Sequence, residues 1–408
     1  MRHLSIAAVS AVALLAAAPA LAAGTNKATT TQSGDSNVLD LTQTGDRGTA
    51  TVTQTGDKNG DKNTIGATST QSGADNVLLI TQKGDSNGYI TKQDGGSRNT
   101  IDLTQNSNKN KAFADQLGGR DSKTTIKQAG TYSFSNTNNS ATTKQDNAVD
   151  STILVDQKGS TQTAKATQTQ TRGQDKIEIF QTGLGQDGDV SQGYTTASYA
   201  YLQQSGSYND AKIRQLDSTN TRAFVRQSDS LNQADVFQQY NNNSVTDIFQ
   251  TGVDNYAKSV QTGSTGSTVD VDQAAGANKA TVSQLYSNNA GLYVDQQSAN
   301  NTANVAQANS NGATIRVTQK GGFLGYFGYN TADVSQTNSA NSGIYLTQNG
   351  LQNDATLTQL ASASSSLTAT QAGNYNTVVA GQYNSNNNVI NSAQTGNSNF
   401  ARITQGTK

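Results

Sequence analysis

After residue 22 the chain contains no cysteine, histidine, methionine, proline or tryptophan, and a single glutamate, Glu178. Each absence removes a class of chemistry. Without cysteine there is no thiolate nucleophile, no zinc–thiolate cluster and no disulfide. Without histidine there is no ordinary Ser-His-Asp relay and no imidazole-bound metal. Strong net charge is missing as well. With Arg2 set aside, 27 basic residues face 29 acidic ones, a net of about −2. That balance exerts no long-range pull toward nucleic acid or an anionic membrane. These exclusions point away from an enzyme and toward a chain with no cofactor, no metal and no nucleic-acid partner.

Long apolar runs are confined to the N-terminus. Arg2 and His3 precede an apolar stretch from Ile6 to Ala18, followed by Ala18-Pro19-Ala20-Leu21-Ala22. This is the layout of a secretory signal peptide over residues 1–22, with cleavage expected after Ala22. The stretch is shorter than the roughly 20 residues a spanning helix needs, and nothing later is apolar enough, so no transmembrane span is expected. Residues 23–31 read as a short leader. An exported chain reaches an oxidising compartment where thin folds are often stapled by disulfides. This one must be held together differently.

Only 33 % of the residues are hydrophobic, and Gly, Ser, Thr, Asn, Gln and Asp dominate. Composition alone suggests a disordered polar chain. The order of the residues reverses that reading. Glutamines recur at Gln181, Gln192, Gln204, Gln215, Gln227, Gln238, Gln250, Gln261, Gln273, Gln284, Gln296, Gln307 and Gln319, in steps alternating between 11 and 12. The series continues through Gln336, Gln348, Gln359, Gln371, Gln382, Gln394 and Gln405. Backward it runs through Gln157, Gln145, Gln128, Gln116, Gln105, Gln93, Gln82 and Gln71 to Gln54, Gln43 and Gln32. A 23-residue unit with two anchors signals stacked supersecondary units.

Apolar residues sit two and four positions before each anchor, as in Ile101, Leu103, Gln105 and Ile315, Val317, Gln319. Period-two alternation means a β-strand with one buried face, and the glutamine shares that face. After the anchor a Gln-x-Gly signature recurs, for example Gln250-x-Gly252. Glycine supplies the positive φ of a tight reversal, and Asn or Asp tolerate it. One strand class follows Asn-x-Ala-x-x-x-Gln, beginning at Asn110, Asn209, Asn278, Asn301, Asn330, Asn353 and Asn399. The other carries a large residue in place of the alanine, such as Ile153, Ile177, Val269, Leu292, Ile315 or Ile344, often after a serine.

Small facing large across a thin core predicts an all-β, amyloid-like solenoid of strand-turn-strand coils over residues 32–408. Thirty-one anchors at two per coil give about 16 coils, a rod on the order of 75 Å long at about 4.8 Å per coil. Buried Gln and Asn are expected to form ladders, each amide bonding its copy in the next coil. The anchor spacing widens to 17 at Gln54–Gln71, Gln128–Gln145 and Gln319–Gln336, which predicts insertions near 55–70, 129–144 and 320–335.

Several motifs imitate chemistry. Gly183-x-Gly185-x-x-Gly188 matches a dinucleotide fingerprint but lies between two anchors, with no helix expected after it. Asp57-Lys58-Asn59-Gly60-Asp61 resembles the opening of a calcium loop without its closing Glu. Asp270 and Asp272 alternate with Val269 and Val271 and read as a solvated strand face. Thr49, Thr51 and Thr53 form a row like that of ice-binding solenoids, but equivalent positions elsewhere hold Asp, Arg or Phe. Outward Phe180, Phe224, Phe237 and Phe249, with Phe323, Tyr326, Phe327 and Tyr329 in the aromatic 322–329 loop, are candidates for surface contacts.

Asn-x-Ala-x-x-x-Gln alternating with Ser-x5-Gln, joined by Gln-x-Gly turns, resembles the curlin repeat, and eleven segments match the first pattern in full. The resemblance spans Gln32 to Gln405. It implies a structural subunit of extracellular curli-like amyloid fibres, serving biofilm matrix and cell adhesion. It further implies self-association as a homopolymer, a nucleator subunit, and export through the periplasm and an outer-membrane secretion channel of a diderm bacterium. The alternative is a monomeric secreted β-solenoid that binds carbohydrate, calcium or ice.

Overall fold

The computed structural model describes residues 25–60, 66–130, 138–321 and 327–407. The signal-peptide segment, Asp61, Phe323 and Tyr326 lie outside the described residues. Every regular element described is a strand, and alternate strands fall into two sheets. In chain order the first eight are β1 (Lys27–Ser33), β2 (Asp40–Gln43), β3 (Thr49–Thr55), β4 (Ala67–Gln71), β5 (Val77–Lys83), β6 (Gly88–Asp94), β7 (Thr100–Gln105) and β8 (Lys111–Leu117). There follow β9 (Lys123–Ala129), β10 (Ser140–Asp146), β11 (Thr152–Ser160), β12 (Thr163–Thr169), β13 (Lys176–Leu184), β14 (Asp187–Gly193), β15 (Tyr199–Ser207) and β16 (Asp210–Leu216). The third group is β17 (Arg222–Gln227), β18 (Gln233–Gln239), β19 (Val245–Gln250), β20 (Tyr256–Thr262), β21 (Thr268–Gln273), β22 (Lys279–Leu285), β23 (Gly291–Gln296) and β24 (Thr302–Ala308). The last is β25 (Thr314–Lys320), β26 (Thr331–Thr337), β27 (Gly343–Asn349), β28 (Asp354–Leu360), β29 (Ser366–Ala372), β30 (Thr377–Tyr383), β31 (Val389–Thr395) and β32 (Phe400–Gly406).

The odd strands form one 16-stranded parallel sheet and the even strands another, each in unbroken chain order. The molecule is therefore a two-layer β-solenoid of 16 coils, the architecture expected from the 23-residue period. Register is exact across coils: Ile153 pairs with Ile177, Val155 with Ile179 and Gln157 with Gln181. The anchor series steps directly from Gln157 to Gln181, and β12 fills that gap with Gln168, paired with Gln145 and Gln192.

The core lies between the sheets. Ile153, Ile177, Leu202, Val225, Val269, Leu292, Ile315 and Ile344 are 0 % exposed, and each such burial contributes roughly 2 kcal/mol. The small residue faces a large side chain and also an amide. The chain reverses between layers, so the position four residues before one anchor lies opposite the other sheet's glutamine. Gly188, at the alanine position of β14, shows this: an added Cβ would lie 2.7 Å from Leu202 Cδ2, 3.1 Å from Gln181 Nε2 and 3.4 Å from Gln204 Oε1. Likewise Gln157 Nε2 donates to Ser140 O at 3.1 Å, beside Ala141. Alanine makes room for an amide, and the large residue on the odd strand covers the amide of the even one. Gly188 thus belongs to a core strand, which removes the dinucleotide reading of that motif.

The turns reverse within a few residues. Besides glycines, their left-handed positions hold Asp, Asn, Ser, Lys, Arg and Tyr, including Tyr194, Tyr240 and Tyr286. Glycine is indispensable where coils touch: at Gly159 (φ +139°) an added Cβ would lie 2.0 Å from Gly183 O. The three wide anchor spacings all follow an odd strand, in β3→β4, β9→β10 and β25→β26, where the ordinary step is 11. Each therefore lengthens the same kind of turn by six residues (17 − 11).

Candidate functional site

A repetitive rod offers three candidate functional features: the internal ladders, the two terminal coils and the outer faces of the sheets. The odd-sheet glutamines form an unbroken chain from Gln32 to Gln394, each Nε2 donating to Oε1 of the next coil at 2.6–3.0 Å. The even sheet repeats it from Gln43 to Gln405 at 2.6–3.2 Å. Every donor points toward the C-terminal coil. The second N–H of the amide reaches across the core, as in Gln181 Nε2 to Thr163 O (2.8 Å) and Gln192 Nε2 to Lys176 O (3.2 Å). A buried amide costs several kcal/mol unpaired, so this double use keeps a polar residue tolerable in the core.

The asparagines act differently. Asn209 Oδ1 accepts the backbone N–H of Asn232 (2.9 Å), Asn278 that of Asn301 (2.9 Å), Asn301 that of Asn330 (3.1 Å) and Asn353 that of Asn376 (3.1 Å). Their Nδ2 groups tie down their own turns, as in Asn209 to Ser205 O (2.7 Å). The amide-to-amide pattern expected from the sequence adds to this at Asn110, Asn330, Asn353 and Asn399. At the other turn Ser, Thr or Asp takes the same part. Asp175 there is 0 % exposed, and its two oxygens accept the N–H groups of Ser198 and Arg172, each at 2.8 Å. Burial nevertheless raises its pKa, the backbone donors offsetting part of the effect.

The terminal coils break the burial pattern. In β1 the inward positions are exposed or half-buried, and in β32 Ala401, Ile403 and Gln405 are half-buried. Leu39, Leu41, Ala401 and Ile403 only partly join the core. Among the described residues no strand pairs with the outer edges of β1, β2, β31 or β32.

The outward phenylalanines do not form one surface. Phe180, Phe224 and Phe249 lie on the odd sheet, Phe237 on the even one. Phe180 packs on Tyr201 (5.7 Å between ring centres), and Phe224 on Tyr199 (5.5 Å) and Tyr201 (6.2 Å). Tyr199 and Tyr201 were not among the sequence candidates, although their alternation with Ala200 and Leu202 marks them as outward. Tyr199, Tyr201, Gln203, Phe224, Arg226 and Asp247 line a shallow groove. Tyr199 donates a short hydrogen bond to Glu178, which also pairs with Lys176 at 2.8 Å. Burial, then Glu178, raise the Tyr199 pKa. Phe237 and Phe249 lie under Arg214 (5.2 Å) and Arg226 (5.4 Å). Phe327 and Tyr329 stack at 6.0 Å and are 55 % and 50 % exposed.

The described part of the calcium-like segment, residues 57–60, is an ordinary turn of the stack: Asp57 Oδ1 accepts the N–H of Asp35 (2.8 Å), and Asn59 is buried with its N–H on Asn37 Oδ1 (3.0 Å). Among the described residues no three His, Cys, Asp or Glu side chains are grouped to hold a metal. Nor is any helix among them long and apolar enough to cross a membrane.

No curated protein matches the chain. The family model for the curlin associated repeat matches twice, at residues 25–56 and 96–130. Those segments hold β1 to β3 and β7 to β9, three consecutive strands each, so the match falls on the ladder-bearing unit itself. The chain thus carries the curlin associated repeat in those two segments, and the same strand pair is stacked 16 times in one register through the described residues.

Proposed function

We propose that this chain is the subunit of an extracellular curli-type fibre that grows end to end, the C-terminal coil of one copy docking on the N-terminal coil of the next. The observation that carries this reading is the match between the two ends. Gln394 and Gln405 are the last members of ladders whose donors point outward, and Gln32 and Gln43 begin the same ladders with acceptors. Extending the register sets Ile403 over Leu41, Ala401 over Leu39 and Asn399 Oδ1 against the N–H of Asn37. A new molecule completes both sheets and covers the half-buried apolar residues at each end. On the same reading the chain leaves the cell through an outer-membrane channel, meets a nucleator subunit and serves matrix and adhesion. The curlin repeat supports these roles.

Thr377 donates its N–H to Asn399 O in the next coil. By the parallel-ladder alternation, Phe400, Arg402 and Thr404 aim theirs at the open edge. Arg402→Pro therefore removes an edge donor while sparing the bonds inside the rod. The mature chain diluted from denaturant should show lag-phase growth of amyloid-dye fluorescence and reflections near 4.7 and 10 Å. Arg402→Pro should abolish growth with β-structure retained. A stable β-rich monomer from the unaltered chain, or unchanged growth of the variant, overturns the proposal.

A further inference from the structure

The two outer faces carry their charges in opposite ways. On the even sheet, successive strands place Lys165, Asp189, Lys212, Asp235 and Lys258 at one register position, so opposite charges alternate along the stack. That face neutralises itself. On the odd sheet the charges are segregated about β19. Before it, β13 to β17 present Lys176, Glu178, Arg222 and Arg226, a net of +2; after it, β21 to β25 present Asp270, Asp272, Asp295 and Arg316 before the anchors, a net of −2. Among the described residues Asp270, Asp272 and Asp295 form no ion pair, whereas Asp247 on β19 is held by Arg226 at 2.8 Å.

The relief of the face follows the same division. Tyr199, Tyr201 and Phe224 form a cluster on β15 and β17. On β23 the ring of Tyr293 lies flat over Gly291, where an added Cβ would come within 2.6 Å of it. Arg316 on β25 sits 4.7 Å from the centre of that ring.

We infer that the odd sheet is a lateral docking surface for a second copy of this chain, packed face to face and antiparallel about a two-fold axis along β19. Such an axis keeps each position along the strand and exchanges β17 with β21, β15 with β23 and β13 with β25. Arg226 then meets the partner's Asp272, Glu178 meets the partner's Arg316, and Tyr201 meets the partner's Tyr293. Phe249, 39 % exposed, meets its own copy on the axis. The basic half of one face lies on the acidic half of the other, and Asp272, which has no ion pair among the described residues of the rod, gains a cation. This contact joins rods side to side and is separate from the end-to-end growth proposed above.

The chain has no cysteine, so single replacements give clean cross-linking probes. With the full mature chain, in dilute solution and in fibres, Phe249→Cys should form a disulfide-linked dimer on mild oxidation. It should do so at least about tenfold faster than Thr347→Cys, which the axis leaves without a matching copy. Phe180→Cys mixed with Thr318→Cys should cross-link with each other more than either with itself. Arg226→Asp in the Phe249→Cys background should slow dimer formation about tenfold, and adding Asp272→Arg should restore it. Dye-monitored elongation, followed in parallel, should be unchanged by these outward substitutions. Equal cross-linking of Phe249→Cys and Thr347→Cys, or no rescue by the charge swap with elongation intact, overturns the inference.

Discussion

Asp175 accepts the backbone N–H of Ser198 in the following coil at 2.8 Å, occupying with a buried carboxylate a position that serine, threonine or asparagine fills in neighbouring coils. Its pKa is raised above the ordinary 3.8, burial being the largest cause. The folded chain therefore holds this proton at pH values where the unfolded chain has released it. Stability is highest below about pH 4 and falls as pH rises through the raised pKa. Asp175→Asn should remove that slope and leave the protein more stable near neutrality by about 1 kcal/mol. Denaturant midpoints measured from pH 4 to 8 provide the check; parallel curves for the two proteins would contradict it.

Gln203 and Gln204 are adjacent, yet one faces solvent and the other is a ladder member bonded to Gln181 and Gln227. Gln204→Ala leaves a donor and an acceptor unpaired in the core and should cost about 3 kcal/mol. Gln203→Ala should stay within about 0.5 kcal/mol of the parent. Equilibrium unfolding of the pair tests whether the ladder, not glutamine content, holds the rod.

Gly183 has φ +117°, and an added Cβ would lie 2.0 Å from Gly206 O in the next coil. Gly183→Ala combines a strained backbone with a clash against main chain and should destabilise by about 2–3 kcal/mol or more. Hydrogen exchange should show the loss centred on β13 and β15.

Asp270 stands directly above Asp247 in register, with Asp272 beside it, Tyr293 above, and Arg226 and Arg316 more distant. Burial, then Asp272 and Asp247, push its pKa up to about 6. The folded state again binds the extra proton, so this site's contribution is present below about pH 4 and is lost by pH 6 to 7. Asp270→Asn should flatten that decline in thermal-melt midpoints across pH 4–7.

The period, the two sheets and the inward glutamines were legible because a 23-residue repeat with period-two alternation admits few packings. Gln168 escaped the anchor series because its neighbours are Thr167 and Thr169 and its inward partners only Ala164 and Ala166, with no large apolar residue to mark the strand. Which residue faces which across the core depends on the direction of the returning strand, and strand composition does not encode that. Hence the large neighbour of the alanine position was foreseen and the amide beside it was not. Asn and Gln seemed interchangeable as ladder formers. The shorter Asn side chain sits at the turn and reaches the next backbone N–H, whereas Gln, within the strand, meets its copy. Tyr199 and Tyr201 stand out only in three dimensions, because their clustering comes from pairing across coils, which a linear reading does not display.

The three lengthened turns carry one more consequence. They follow β3, β9 and β25, so all three interrupt the same one of the two turns, while the ladders on either side pass the interruption with bonds of 2.6–2.9 Å. Register is thus set by side chains meeting one another and is indifferent to how much chain lies between them. Longer loops add only a slowly growing closure entropy, about 0.6 kcal/mol per doubling. That turn is a ready-made place for foreign peptides, and a filament of such rods would display its cargo at the same turn of every rod.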